Sequence, residues 1–352
     1  MLKFALIGCG QIAKRHSALL GERQIKGAEL VAVCDKNLER AHTIGQKYNV
    51  PSYSDMHEMM EKEDIEVVVI LTGSGLHAAH TILIAQYGVD IVVEKPMALS
   101  LEDADAMIHA CDTHGVELFV VKQNRFNVPV LTAREALEAG RFGKLVLGTV
   151  RVRWCRQQSY YDQETWRGTW AMDGGVLANQ AIHHIDLLQW MMGEVESVFA
   201  FSSTALADIE TEDTAVVTLK FKNGALGIIE ATTATRPKDL EGSISILGEK
   251  GSVEIGGFAA NEMKVWNFSN PVAQDKYVFK KYSVNPPNDY GFAHQAFYEQ
   301  VVDCLKNKNN SFLDGLEGKK SLKLIHAIYK SIENGKVIIV DSLLESSKLG
   351  QR

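Results

Sequence analysis

Up to about residue 125 the sequence alternates short apolar, β-branched runs with longer segments whose apolar residues recur every three or four positions. The runs are Phe4–Gly8, Leu30–Asp35, Val67–Thr72, Asp90–Glu94 and Leu118–Lys122. Between them lie Gln11–Leu20, Leu38–Tyr48, His77–Tyr87 and Leu101–Thr113. A strand without polar alternation is buried on both faces, and a helical crossover is what joins parallel neighbours. The pattern therefore predicts a doubly wound α/β domain built on a parallel sheet.

After about residue 145 the texture changes. Val146–Val152, Val198–Ser203, Ala215–Phe221, Leu226–Thr233, Gly242–Leu247, Ser252–Ile255 and Lys264–Phe268 read as strands joined by turns such as Lys222-Asn223-Gly224. Short turns between consecutive strands call for antiparallel pairing, so the second half is expected to be an α+β domain with a large, mostly antiparallel open sheet. Helical periodicity returns at Val176–Met192, Gly291–Lys306 and Gly315–Asn334. At 352 residues the chain is long enough for two cores. The expected division is residues 1–124, residues 125–335 with last helices able to pack back on the first domain, and a tail over 336–352.

The first run leads straight into Gly8-Cys9-Gly10-Gln11-Ile12-Ala13, a GxGxxA between strand and helix. There the first glycine permits the tight turn, the second admits a pyrophosphate against the backbone, and a small third residue lets helix and strand pack. Asp35 ends the second run, 22 residues beyond Ala13, where a carboxylate accepts hydrogen bonds from an adenosine ribose. This makes the first domain a Rossmann dinucleotide holder. A carboxylate at ~4 Å from a 2′-phosphate costs roughly 4 kcal/mol per pair of unit charges at a surface-like dielectric, so NAD is expected over NADP, with Lys36 offsetting part of the repulsion.

Glu94-Lys95-Pro96 closes the fourth run, at the carboxyl end of a strand where ligands of such sheets collect. Lys95 would need its pKa lowered by about three units, roughly 4 kcal/mol, to serve as a base near neutrality; otherwise it is a surface lysine in a turn. A third motif runs from Asp173-Gly174-Gly175 to His183-His184-Ile185-Asp186. On one continuous helix Asn179, His183 and Asp186 share a face while Ile182, Ile185 and Leu188 turn to the core. Core or surface histidines satisfied by neighbours are the plain alternative. No HExxH or Cys/His cluster accompanies the pair, so no metal site is expected.

The remaining composition narrows the partners. The net charge is -7, with no basic run to follow a phosphate backbone, which excludes nucleic acid as the main partner. No apolar stretch approaches the ~20 residues of a membrane span. Met1-Leu2-Lys3 enters a strand without the apolar run of a signal peptide, so a cytoplasmic protein is expected. Five scattered cysteines without a CxxC read as reduced thiols.

Taken together, GxGxxA with Asp35, Thr72-Gly73-Ser74-Gly75-Leu76-His77, Glu94-Lys95-Pro96, and Gly-Gly-x-Leu followed by His183 and Asp186 resemble the glucose–fructose oxidoreductase/inositol dehydrogenase family over nearly the whole chain. Within it, Val121–Arg125, Tyr160-Tyr161-Asp162, Trp166–Trp170, Asn179-Gln180-Ala181, Ile209–Thr214, Leu240–Gly248 and Tyr290-Gly291-Phe292 resemble bacterial UDP-N-acetylglucosaminuronate 3-dehydrogenases of the WlbA type.

The resemblance implies NAD-dependent oxidation of the sugar 3-hydroxyl to a ketone, a step toward surface polysaccharides. It implies NAD contacts at Gly8, Gly10, Gln11, Ile12, Asp35, Thr72, Gly73, Ser74, His77, Glu94, Lys95 and Gln123. Substrate contacts are expected from Lys95, Gln123, Asn124, Arg125, Tyr160, Arg167, Asn179 and His183, with Lys95 and His183 catalytic. Where many members carry Asp four residues before the histidine, this chain has Asn179, and an amide cannot take a proton.

A UDP-sugar needs cations in an acidic protein, and Arg125 and Arg167 are where they are expected. The flanking tryptophans 154, 166 and 170 suit packing equally well. 2-Oxoglutarate is the expected reoxidant if NAD stays bound, and the broad sheet suggests a homo-oligomer, dimer or tetramer. The alternatives are a dehydrogenase of inositol or a free sugar, and a non-catalytic NAD-binding regulator.

Overall fold

Each of the five apolar runs becomes a strand of one parallel sheet. The computed structural model describes residues 1–282, 293–309, 313–343 and 346–351; Tyr290-Gly291-Phe292 lies outside them. The chain runs β1 (Leu2–Ile7), α1 (Ala13–Gly21), β2 (Ala28–Cys34), α2 (Leu38–Tyr48), β3 (Ser52–Tyr53), α3 (Met56–Lys62), β4 (Val67–Ile70), α4 (His77–Ala85), β5 (Asp90–Val93), α5 (Leu101–His114) and β6 (Leu118–Val120). The sheet order is β3-β2-β1-β4-β5-β6, all parallel. The order reverses between β1 and β4, the place where such sheets open a crevice for ligands.

Local chemistry explains the helices. The Asn37 side chain accepts from the Glu39 and Arg40 amides and starts α2, which ends on the left-handed Asn49. Ser100 caps α5, and Gly115 closes it at φ 64°. Short β3 and α3 leave no mark in the sequence pattern, because two and seven residues carry little periodicity.

The chain then continues through α6 (Val128–Glu138), β7 (Leu145–Arg153), α7 (Gln158–Tyr161), a π-helical turn at Val176–Gln180, and α8 (Ile182–Met192). It goes on to β8 (Val195–Ser203), β9 (Thr214–Phe221), β10 (Leu226–Thr232), β11 (Glu241–Gly248), β12 (Gly251–Gly256) and β13 (Glu262–Phe268). The last elements are α9 (Val278–Tyr282), α10 (Ala293–Asn307), α11 (Gly315–Asn334) and β14 (Ile338–Ile339). By contacts, one unit holds 1–122 and 294–319, and the other 123–293 and 320–352.

In the first unit Tyr298 of α10 is fully buried, edge-on to Phe4 of β1 at 5.8 Å. In the second, the sheet order is β13-β12-β11-β7-β10-β9-β8-β14, antiparallel except for β7 against β10. Its strands alternate buried with half-buried or exposed residues, so one face carries Val150, Val217, Ile229 and Ile244. α8 lies against that face so closely that a Cβ on Gly148 would stand 2.6 Å from Met192. Residues beyond 335 do not trail away: β14 pairs with β8, Ser347 and Leu349 are buried, and the Gly350 amide donates to the Trp170 carbonyl. All five cysteines are free thiols.

Candidate active site

At the β1 terminus Gly8 has φ +99°, and a Cβ there would lie 2.7 Å from the Leu71 carbonyl. Gly10 faces open space, with nothing within 4 Å of its Cβ direction. Ile12 at the start of α1 offers no side-chain cap, while Ala13 is fully buried beneath. One glycine thus makes the turn and the other leaves the backbone bare beside an uncapped helix N-terminus, the cradle a pyrophosphate needs. Asp35 is pinned at its edge: Oδ2 accepts from the Cys9 amide at 2.6 Å and Oδ1 from the Asn37 amide at 2.8 Å. These residues fit NAD.

The next strand ends hold two expected cofactor contacts that turn inward. His77 is buried, with Nδ1 2.7 Å from the Pro96 carbonyl and Nε2 2.9 Å from the Thr72 carbonyl. Its ring braces the β4 and β5 ends, and burial lowers its pKa. Glu94 is buried too; Oε2 accepts from the Lys95 amide at 2.9 Å, and Oε1 meets His16 Nε2 at 3.1 Å. Burial alone would push its carboxyl up, but His16, His294 and Lys95 together bring it to about 2.

The carboxylate is therefore internal, held beneath a half-buried Lys95. His16, Glu94 and His294 bring ligand-capable atoms within 4.8 Å of one another, and the Tyr298 hydroxyl meets His16 Nδ1 at 2.5 Å. Ser74 is buried, Thr72 and Gly73 are half-buried, and Thr72 Oγ1 meets His80 Nδ1 at 3.1 Å.

In the second unit the two adjacent histidines part. His184 is fully buried, edge-on to Trp154 at 5.7 Å, and burial takes its pKa down to about 4. His183 is half-buried, and the Gln123 amide nitrogen lies 3.1 Å from its Nε2. Ahead of both, the expected continuous helix is broken: a π-helical turn carries Asn179, and α8 starts afresh at Ile182. Asn179 Nδ2 donates to Asp173, and its Oδ1 accepts from Gln180 Nε2 at 2.6 Å. Gln180 Nε2 also donates to the Tyr160 hydroxyl at 3.0 Å.

The two expected anion-binding arginines also separate. Arg125 is buried and forked onto Asp186, Nε to Oδ2 at 2.7 Å and Nη2 to Oδ1 at 2.8 Å, with its guanidinium over Trp190. The expectation that Arg125 meets substrate gives way to an internal pair, because its charge is already matched. Asn124 is buried beside it. Arg167 is half-buried, lies 4.2 Å over the Tyr160 ring and 5.1 Å over Trp166, and among the described residues its buried Nε has no acceptor. Asp173 opens the third motif, yet the sequence pattern assigns it no role; in the structure it accepts from Asn179 Nδ2 and from the Gly168 amide.

Residues 2–122 match a family model described as "Oxidoreductase family, NAD-binding Rossmann fold", and residues 134–340 match "Oxidoreductase family, C-terminal alpha/beta domain". Among solved structures, the chain is similar to the WlbA dehydrogenase of Bordetella pertussis in complex with NADH and UDP-GlcNAcA. It is 42% identical to that protein, with a TM-score of 0.87 over 96% of this chain and 98% of that one. The D-apiose dehydrogenase of Paraburkholderia graminis is 28% identical over 97% of this chain and 90% of its own length. The myo-inositol 2-dehydrogenase of Thermotoga maritima is 27% identical over 97% of this chain and 100% of its own.

Proposed function

The chain belongs to the glucose–fructose oxidoreductase/inositol dehydrogenase family of NAD-dependent dehydrogenases, and on that premise we propose that it oxidises the 3-hydroxyl of UDP-N-acetyl-D-glucosaminuronate to the ketone. The observation that carries the substrate class is Arg167. A half-buried guanidinium stacked on Tyr160, whose buried Nε meets no acceptor among the described residues, favours an anionic ligand with a planar or sugar ring. The Tyr160 it stacks on is joined by hydrogen bonds, through Gln180 to Asn179, to the turn that leads into His183. A neutral polyol would leave that cation unanswered. The similarity to a dehydrogenase crystallised with UDP-GlcNAcA supports the same reading.

NAD, when bound, supplies the hydride acceptor. The proton falls to this chain's own residues. The Gln123 amide nitrogen donates to His183 Nε2, which makes that atom the acceptor of the neutral ring; a substrate hydroxyl that takes the place of the Gln123 amide there meets the lone pair that accepts its proton. Asn179, tied at both ends of its amide, orients without taking a proton. Lys95, held at its backbone by Glu94, offers an ammonium donor toward the developing oxyanion. Gly8, Gly10 and Asp35 hold the cofactor. No helix of the described residues is long and apolar enough to cross a membrane.

The test is to supply UDP-N-acetylglucosaminuronate or myo-inositol with NAD and follow absorbance of reduced nicotinamide. Reduction with the uronate alone supports the reading; reduction with myo-inositol alone replaces it with a polyol dehydrogenase, and none with either replaces it with the regulator or with a dehydrogenase of another substrate. If reduced cofactor co-purifies, the uronate is supplied with 2-oxoglutarate as reoxidant. Lys95→Met should abolish turnover and retain NAD.

The second sheet's outer face also favours a homo-oligomer. Phe201 is 68% exposed and Val216 49% exposed, paired across β8 and β9; Leu226 and Leu247 lie on the same face, in register with Leu147. A second copy covers such a face most simply. Phe201→Glu should lower the mass measured by light scattering, and an unchanged mass would sink that interface.

A further inference from the structure

We propose that Glu212, backed by Tyr329, is a positioning residue that clamps the π-helical turn carrying Asn179 and leading into His183. The inference rests on the assignment of His183 as the base. Its starting point is a buried carboxylate that the mechanism above does not use.

Glu212 lies between β8 and β9 and is 3% exposed. Its carbonyl accepts the Val176 amide at 2.9 Å, and its Oε1 accepts the Leu177 amide at 3.0 Å. The Tyr329 hydroxyl of α11 donates to the same Oε1 at 2.9 Å and accepts the Gly175 amide at 3.4 Å. Three successive amides at the start of the turn are thus answered by two residues distant in sequence. The first amides of any helical segment have no partner within it, and this clamp supplies them.

Gly174 and Gly175 make room for it. Gly174 has φ +85°, and a Cβ on Gly175 would stand 2.3 Å from Glu212 Cδ, Oε2 and carbonyl oxygen. The Gly-Gly pair is thereby explained by what packs against it, as well as by the turn. The geometry of the segment follows: the Ala181 amide reaches the Val176 carbonyl at 2.7 Å, the five-residue step that defines the turn. Beyond it α8 begins in a phase that sets His183 beside Gln123 and Asp186 beside Arg125. A shorter step would rotate both away.

The clamp needs an acceptor at Oε1 and no charge. Oε2 is buried and has no hydrogen-bond partner among the described residues. Burial pushes the carboxyl up to about 7, against the pull of the Leu177 amide, Tyr329 and Lys348. An amide keeps the acceptor, so Glu212→Gln should serve where Glu212→Ala should not.

The test compares Glu212→Gln, Glu212→Ala and Tyr329→Phe with Val253→Ala, a core truncation in β12 that loses thermal stability without touching the turn. The readouts are kcat and KM for the UDP-uronate, the dissociation constant of NAD, and the NMR titration of the His183 ring. Glu212→Ala should lower kcat by roughly 10- to 100-fold, the scale of losing about 1 Å of placement, with NAD affinity unchanged and the His183 titration moved. Glu212→Gln should return kcat to within about threefold of wild type, and Tyr329→Phe should fall between. If Glu212→Ala does not fold, Tyr329→Phe and Glu212→Gln decide by the same ordering.

Equal losses in Glu212→Ala and Val253→Ala, or an unmoved His183 titration, would overturn the clamp. Should the wild-type protein turn over no UDP-uronate, the substrate assignment fails, and the His183 titration still decides the clamp.

Discussion

Asp35→Asn should erase the discrimination between NADH and NADPH. Both Asp35 oxygens are held by backbone amides, Cys9 at 2.6 Å and Asn37 at 2.8 Å, so the carboxylate cannot swing away from a 2′-phosphate. At ~4 Å and an effective dielectric of ~20 the repulsion is about 4 kcal/mol per pair of unit charges. Asp35 is half-buried, and water with mobile ions takes roughly half of that, leaving about 2 kcal/mol. At about 1.4 kcal/mol per decade this is roughly a 30-fold preference for NADH. The asparagine removes the charge and turns one acceptor into a donor facing an amide, which costs about 1 kcal/mol with either cofactor. The ratio of dissociation constants should therefore collapse while NADH binding weakens modestly. Titration by calorimetry at about 0.15 M salt and again at about 1 M, where screening shortens to ~3 Å, should show the wild-type ratio shrinking with salt. A wild-type protein that binds both alike, or a ratio unmoved by the substitution, would refute the reasoning.

Three further outcomes follow from buried groups and tight packing. Arg125→Met leaves Asp186 buried without its partner and should cost about 3–5 kcal/mol in urea unfolding, whereas Arg125→Met with Asp186→Leu should recover most of it; a single-variant loss under about 1 kcal/mol would show that the pair is solvated. For Glu212 the folded carboxyl sits at about 7 against an ordinary 4.5, so the folded state holds the extra proton between those values and its stability falls as pH rises through them. Glu212→Gln should thus gain about 3 kcal/mol relative to wild type between pH ~4.5 and pH ~7.5 in unfolding experiments, and a pH-independent difference counts against a raised carboxyl. Gly8→Ala must carry a Cβ at 2.7 Å from the Leu71 carbonyl in a left-handed conformation worth about 1–2 kcal/mol, and should lose NADH binding along with some thermal stability. Unaltered NADH affinity there would mean that the turn does not shape the cradle.

What the sequence determined by itself is whatever neighbouring residues decide. Apolar runs such as Val67–Ile70 show parallel strands because burial on both faces leaves no polar alternation. GxGxxA shows a phosphate cradle because the glycines act through their own backbone. Alternation in β9 and β10 shows the one-sided second sheet. β3, α3 and β14 are too short to carry a period, and the break at Ala181 was hidden because a π-helical turn keeps the composition of a helix.

Only the tertiary structure decided which of two like residues is spent inside. Arg125 and Arg167 are equal in sequence, yet Asp186, 61 residues from Arg125, neutralises the first, while the buried Nε of the second meets no acceptor among the described residues. His183 and His184 are adjacent, yet Trp154 and the sheet bury the second and Gln123 meets the first. Glu94 and His77 sit in recognisable motifs and still turn inward, because His16 and the Pro96 carbonyl wait there. Glu212 lies in the segment Ile209–Thr214 that carries the resemblance, but only its contacts with Val176, Leu177 and Tyr329 show what it does. The state of a charged group depends on what stands within a few ångströms of it, and in this chain those neighbours arrive from far along the sequence.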